Sequence, residues 1–370
     1  MSPQTTPIAD TAQDLELAER LIAPDGTRLN NTDLDPFVAD VDPAQLRALH
    51  RDMVILRRID AEGVALQRQG QLGLWAPCNG QEAAQIGTAR ALDPIDFVFP
   101  SYRETGVIYA RGAQPGDFVR VWRGEEGAPY DPMQMRVAPL QIIIGAQTLH
   151  AVGYAMGIKH EKAPEVAVTY FGDGATSQGD VNEAMVFAAS YQAPVVFVCQ
   201  NNHWAISEPV ALQSQYPISG RAPGFGIPSM RVDGNDVLAC MAAMRWALAH
   251  ARAGKGPAFI EAVTYRMGPH TTSDDPTRYR YPEELESWKT RDPIARVESY
   301  LRGLGEIDDE QIAAAHADAD RMAREMRAEC LGMVTREPLA VFDGVYAEPH
   351  CGIDRQRDEY TAYLASFEEG

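Results

Sequence analysis

From residue 42 the apolar positions recur at helical spacing: Leu46, Leu49, Met53, Leu56, Ile59 and Val64 fall near a 3.6-residue period. Asp42 followed by Pro43 supplies an N-cap and a first-turn proline, which predicts the helix start. Past Gly73 the pattern breaks in the loop LWAPCNG, and a second helix is predicted over 81–92. The period then changes. EVAVTYF (165–171) and PVVFVCQ (194–200) are short β-branched runs that read as strands, with PAFIEAVTY (257–265) a third and SMRVDG (229–234) a fourth. A helix over 178–191 separates the first two, with Val181, Ala184, Met185 and Ala188 on one face, and a longer helix over 236–254 ends at a glycine C-cap. Ile142, Ile143 and Ile144 read, on pattern alone, as a buried strand-like run. Strands alternating with helices predict an α/β domain over 41–281, its mainly parallel sheet flanked by helices. Residues 1–40 are polar and expected to form a mobile acidic arm, and 282–370 a charged helical C-terminal region.

Composition narrows the class of function. A chain of 370 residues, 45% hydrophobic and 23% charged, has the balance of a soluble folded protein. With 33 Lys and Arg against 52 Asp and Glu, its net charge of −19 argues against partners that are nucleic acids or anionic membranes. No apolar run approaches the roughly 20 residues that span a bilayer. The opening MSPQTTPIADTAQDLELAER has neither a basic nor an apolar signal region, so a cytoplasmic location is expected. Cys78, Cys199, Cys240, Cys330 and Cys351 are odd in number and form no CxxC pair, which predicts reduced thiols. Cys199 and Cys240 sit in apolar stretches and read as small core residues.

The chemistry concentrates at two predicted strand ends. Gly172-Asp173-Gly174 closes one strand and Asn201-Asn202 the next, with 26 residues between Gly174 and Asn201 that hold one helix and the second strand. Such a crossover makes the strands parallel and brings both motifs to one carboxyl edge, where open α/β sheets bind ligands. A carboxylate from Asp173 and an amide oxygen from Asn202 suit a hard cation bridging a diphosphate, and the glycines permit close backbone approach. Taken singly, Gly-Asp-Gly is a tight turn and Asn-Asn a strand cap. Their conjunction favours the diphosphate reading. No GxxxxGK[ST] loop occurs, which argues against a P-loop nucleotide enzyme.

The same pair resembles the thiamine diphosphate signature, and longer segments extend the likeness. GLWAPCNGQEA (73–83), PSYRETG (100–106), IIIGAQ (142–147), YFGDGATSQGD (170–180), CQNNHWAIS (199–207), RVDGNDV (231–237) and FIEAVTYRMGPHTTSDDPTRYR (259–280) resemble the alpha subunit of the decarboxylating component of 2-oxoacid dehydrogenase complexes, the branched-chain and pyruvate group. The resemblance implies a thiamine diphosphate-binding fold, with Asp173, Asn202 and the Trp204 carbonyl holding Mg2+. It implies that Tyr102, Arg103 and the backbone of Gly174 and Ala175 contact the diphosphate, a task that suits a guanidinium fork. Ile144 would keep the cofactor bent and the Ile142 backbone would meet its aminopyrimidine. His270, in the loop over the diphosphate, is the catalytic candidate, and Leu74 and Trp75 lie near the family's acyl pocket. Without the resemblance, Tyr102-Arg103 reads as a surface pair, His270 as a loop histidine and Trp75 equally as core.

Gln200 replaces an arginine of the branched-chain enzymes, and Thr271 a regulatory serine of mammalian relatives, for which no phosphorylation is predicted. The implied reaction is oxidative decarboxylation of a 2-oxoacid with transfer of the acyl group to the lipoyl group of an acyltransferase. Branched-chain acids rank first, pyruvate second and acetoin third; a non-catalytic assembly scaffold is the reading from another class. With its segments assigned, the chain has no room for a second α/β domain to hold the pyrimidine. A separate beta chain is therefore expected, and the resemblance implies two alpha and two beta chains.

Overall fold

The β-branched runs pair into a five-stranded sheet, parallel throughout, composed of β1 (Phe97–Phe99), β2 (Ala167–Gly172), β3 (Val195–Asn201), β4 (Ser229–Asp233) and β5 (Ala258–Val263) in the order β1-β2-β3-β5-β4. The computed structural model describes residues 17–124, 129–334 and 336–367. Both faces of the sheet are covered, which is why its strands read as continuous apolar runs. On one face Phe97, Phe171, Phe197 and Phe259 pack with Ala151, Ala155, Val181, Ala184 and Ala188 from α3 (Ala146–Glu161) and α4 (Gly179–Tyr191). On the other, Tyr170 donates its hydroxyl to Thr88 of α2 (Glu82–Arg90). There α2 lies against α5 (Val237–Arg252) so closely that a Cβ at Gly87 would stand 2.5 Å from the Val237 carbonyl.

The predicted helix start at 42 holds. Asp42 and Gln45 form a reciprocal capping box at the head of α1 (Pro43–Arg68), and Gly254 follows α5 at φ +73°. Cys199 and Cys240 are fully buried, and burial pushes both thiols well up.

Three expectations change. Residues 17–40 are anchored, not a mobile arm: Leu21, Ile22 and Leu34 are fully buried, and the backbone N–H groups of Leu21 and Ile22 both donate to Asp236 Oδ2 at 2.6 Å. Residues 1–16 of that expected arm lie outside the described residues. Ile142, Ile143 and Ile144 are 59, 71 and 40% exposed, in a loop ahead of α3 rather than a strand. The third concerns the C-terminal region. The main compact unit runs to Cys330, past the expected boundary at 282. The charges of its last helices meet a row of arginines on α1. Arg57 pairs with Asp292 at 2.7 Å at the cap of α6 (Pro293–Gly303), and Arg51 with Asp318 at 2.7 Å on α7 (Asp309–Gly332). Trp288 is fully buried and stacks on Tyr265. The second unit, Leu331–Gly370, contains α8 (Cys351–Ala365), in which Arg357 pairs with Asp343 and lies over the Phe342 ring. Among the described residues, no helix is long and apolar enough to cross a membrane.

Candidate active site

Gly172 at the end of β2 stands opposite Gln200 of β3, so the turns that follow leave the sheet side by side at its carboxyl edge. The Asn202 backbone N–H donates to Asp173 Oδ1 at 3.3 Å, and Gln213 Nε2 donates to the other oxygen at 3.1 Å. Both donors are neutral amides. Burial pushes the Asp173 carboxyl above its ordinary range, outweighing the opposing pull of His203 and of the hydrogen bonds it accepts. A cation binding there would reverse that shift. Gly174 passes so close to Ala205 that a Cβ would lie 2.6 Å from that methyl group, so only glycine lets this turn pack against the segment after Asn202.

Gly172, Asp173, Gly174, Gln200, Asn202 and Ala205 line a cleft of about 250 Å³, together with Tyr102, Arg103, Ile144, Ala175, Trp204 and His270. The structure thus brings together nearly all the residues singled out from the sequence. Ile142, Leu74 and Trp75 do not line the cleft. Trp75 is buried against α1 instead: its indole N–H donates to Asp60 Oδ1 at 2.8 Å, and its ring fills the space beside Gly63. Of its two sequence readings, the structure shows core.

Arg103 is buried and donates to the Pro77 carbonyl at 2.5 Å and the His270 carbonyl at 2.9 Å. Its remaining geometry fixes the state of the imidazole. Arg103 Nη2 and Arg266 Nη1 lie 3.1 and 3.4 Å from His270 Nδ1, and a guanidinium only donates. Nδ1 is therefore the acceptor and the ring proton sits on Nε2. Burial, with the charges of Arg103 and then Arg266, pulls the His270 pKa down to about 3. Asp274 holds the loop from the other side, accepting from the His270 backbone N–H at 2.7 Å and from the Tyr279 hydroxyl at 2.5 Å.

Sequence reasoning missed Arg266. Its guanidinium donates to the carbonyls of Trp204 and Ile206, both at 2.8 Å, tying the His270 loop to the segment after Asn202. That segment carries two left-handed residues, His203 at φ 69° and Ile206 at φ 55°. A β-branched residue there is strained, and such strain persists where surrounding bonds hold it. Also missed were Gln81, Glu104 and Gln147, polar side chains buried around the same cleft. Only Glu104 carried a local signal, standing next to Arg103; Gln81 and Gln147 have no assigned residue beside them in the sequence.

Residues 50–330 match the family described as Dehydrogenase E1 component. The chain is 47% identical over 353 residues to the 3-methyl-2-oxobutanoate dehydrogenase subunit alpha of Mycobacterium tuberculosis, covering 95% of each chain. It is 40% identical to the pyruvate dehydrogenase E1 component subunit alpha of Acholeplasma laidlawii, over 86% of this chain and 93% of that one. The Staphylococcus aureus protein of the same description is 39% identical, over 86% of each. With three quarters of its length inside the family match and its cleft built at the strand ends where the signature lies, this chain belongs to the Dehydrogenase E1 component family.

Proposed function

We propose that the chain is the alpha subunit of a branched-chain 2-oxoacid dehydrogenase, acting with a beta subunit and a lipoyl-bearing acyltransferase. The observation that carries the reading is the buried Asp173 carboxylate beside the Asn202 amide, at the ends of adjacent parallel strands and opposite Arg103. Among the described residues no three His, Cys, Asp or Glu side chains converge on a metal, so a cation here would complete its shell with oxygens of a bound anion. Magnesium held by a diphosphate fits that donor set. Asp173 and Asn202 would be its side-chain ligands, with the Trp204 carbonyl contributing a lone pair beside the one that Arg266 engages. Arg103 and Tyr102, with the Gly174 and Ala175 backbone, would receive the diphosphate.

Bound thiamine diphosphate would supply the electron sink into which a 2-oxoacid loses carbon dioxide. The chain's own residues hold and shield. Arg103 sets the tilt of the His270 ring, and the Nε2–H tautomer gives the site a neutral donor at physiological pH. Ile144 supplies an apolar wall. The exposed loop from Ile142 to Ile144 leaves apolar surface for cofactor and partner to cover. Because Leu74 and Trp75 lie outside the cleft, acyl-chain choice falls largely to the beta chain. An assembly of two alpha and two beta chains follows from the family resemblance.

The branched-chain relative is more similar than the pyruvate relatives, at 47% against 40 and 39% identity, which supports placing branched-chain acids ahead of pyruvate. The test is thiamine-dependent decarboxylation by the chain co-expressed with candidate beta subunits, read with an artificial electron acceptor. Turnover should favour 3-methyl-2-oxobutanoate over pyruvate and vanish in Asp173→Ala and Asn202→Ala. Preference for pyruvate would reverse the substrate. Cofactor binding without turnover on any partner would point to an assembly role.

A further inference from the structure

An unbroken line of buried side-chain hydrogen bonds leads away from the Asn202 amide. Asn202 Nδ2 donates to Gln81 Oε1 at 3.0 Å, Gln81 Nε2 donates to Gln200 Oε1 at 3.0 Å, and Gln200 Nε2 donates to Glu104 Oε1 at 2.7 Å. The second Glu104 oxygen accepts from the Ser101 hydroxyl at 2.7 Å. Gln81, Gln200 and Glu104 are each 1% exposed and Asn202 5%, so water does not substitute for a lost partner.

Such a line has a direction. An amide can be turned end for end with little change of shape, exchanging its donor and its acceptor. A carboxylate cannot, because it only accepts. Glu104 therefore admits only the NH2 end of Gln200, which turns the Gln200 oxygen towards Gln81. Gln81 must answer with its own NH2 and so offers its oxygen to Asn202. Asn202 spends its NH2 on that bond. Among the described residues its remaining oxygen, Oδ1, accepts only the long 3.3 Å bond from the Trp204 N–H. Reversing Asn202 alone would set oxygen against oxygen at Gln81 and NH2 against N–H at Trp204. Each mismatch leaves buried groups unsatisfied.

We infer that Glu104 acts as a positioning residue, fixing through Gln200 and Gln81 which atom of the Asn202 amide faces the cation. The inference rests on the cation site proposed above and extends it: Asn202 is a ligand because a carboxylate three side chains away orients it. Groups that orient metal ligands from outside typically affect metal affinity by roughly 10- to 100-fold.

The test titrates magnesium against the full chain, purified with its co-expressed beta subunit in excess thiamine diphosphate, by calorimetry. Glu104→Gln places an amide that can donate at the end of the line and removes its fixed direction. Apparent magnesium affinity should fall by roughly 10-fold or more. The thiamine diphosphate affinity at saturating magnesium should stay within about 3-fold, a split that general loosening would not produce. The double variant Glu104→Gln/Gln200→Glu moves the carboxylate one place along and keeps the charge. Glu at 200 accepts from both Gln at 104 and Gln81, so the direction and the magnesium affinity should return. Wild-type affinity in Glu104→Gln, or failure of the double variant to recover, overturns the inference. If Glu104→Gln does not accumulate, Gln81→Leu cuts the line next to Asn202, and undiminished magnesium affinity there overturns it equally. A wild-type complex that binds thiamine diphosphate without need of magnesium would instead overturn the cation site, and the inference with it.

Discussion

Two guanidinium groups aim donors at one imidazole nitrogen, and the consequence reaches beyond the cleft. The ordinary histidine pKa of 6.5 falls to about 3 for His270 in the folded chain. Between those values the unfolded chain binds a proton there and the folded chain does not. The stability that His270 contributes is thus complete above about pH 6.5 and is lost as the pH falls towards 3. Replacing it by glutamine should make the acid limb of the stability curve shallower, as urea unfolding of the chain at pH 7, 5 and 4 would measure. The limb should not flatten, because burial lowers the His50 pKa as well. An unchanged slope would mean that His270 titrates as an ordinary histidine.

Between helices, the arginine row of α1 separates contacts that matter from contacts that decorate. Arg57 bridges Asp292 and the fully buried Glu82, at 2.7 and 2.8 Å, and Glu82 in turn receives the Gly80 N–H of the loop that leads to α2. Arg57→Met would strand a buried carboxylate, which costs about 3–5 kcal/mol. Arg51 pairs with Asp318 at 2.7 Å, but both are substantially exposed, and Arg51→Met should cost less than about 1 kcal/mol. Equilibrium urea unfolding of the two variants would show the contrast; equal losses would contradict it. This contrast was hidden in the sequence, where the arginines of α1 look alike. Sequence patterns revealed what depends on neighbours in the chain: the Asp42 cap, four of the five strands and the two helices that follow β2 and β4. They missed β1, three residues long, and the exposure of Ile142–Ile144, whose apolar character matches a core strand. In the site, Asp173 and Asn202 were legible because strand ends carry them to one edge. The line from Glu104 to Gln81 was not, since its members stand 96 and 119 residues from Gln200.

Across the molecule, both borders of the sheet are closed by single bridges. Val98 of β1 pairs with Val137, and on the far border Glu19 pairs with Val232 of β4. An open strand border invites pairing with other chains. A chain beginning at Asp25 would uncover β4, and light scattering during refolding from urea should rise several-fold above that of the full chain. Scattering equal to the full chain would show that something else protects this border.

The residues that close β4 are made well before β4 itself, for Leu21 docks on Asp236, 215 positions later. At about 5–20 residues per second, that separation is on the order of 10–40 s of synthesis. Throughout that interval Leu21 and Ile22 have no burial site, and once β4 emerges its border stays open until they return. The stretch around Leu21 is therefore translated long before its partner and locked late, which makes the nascent polypeptide, more than the finished one, the form in need of a chaperone.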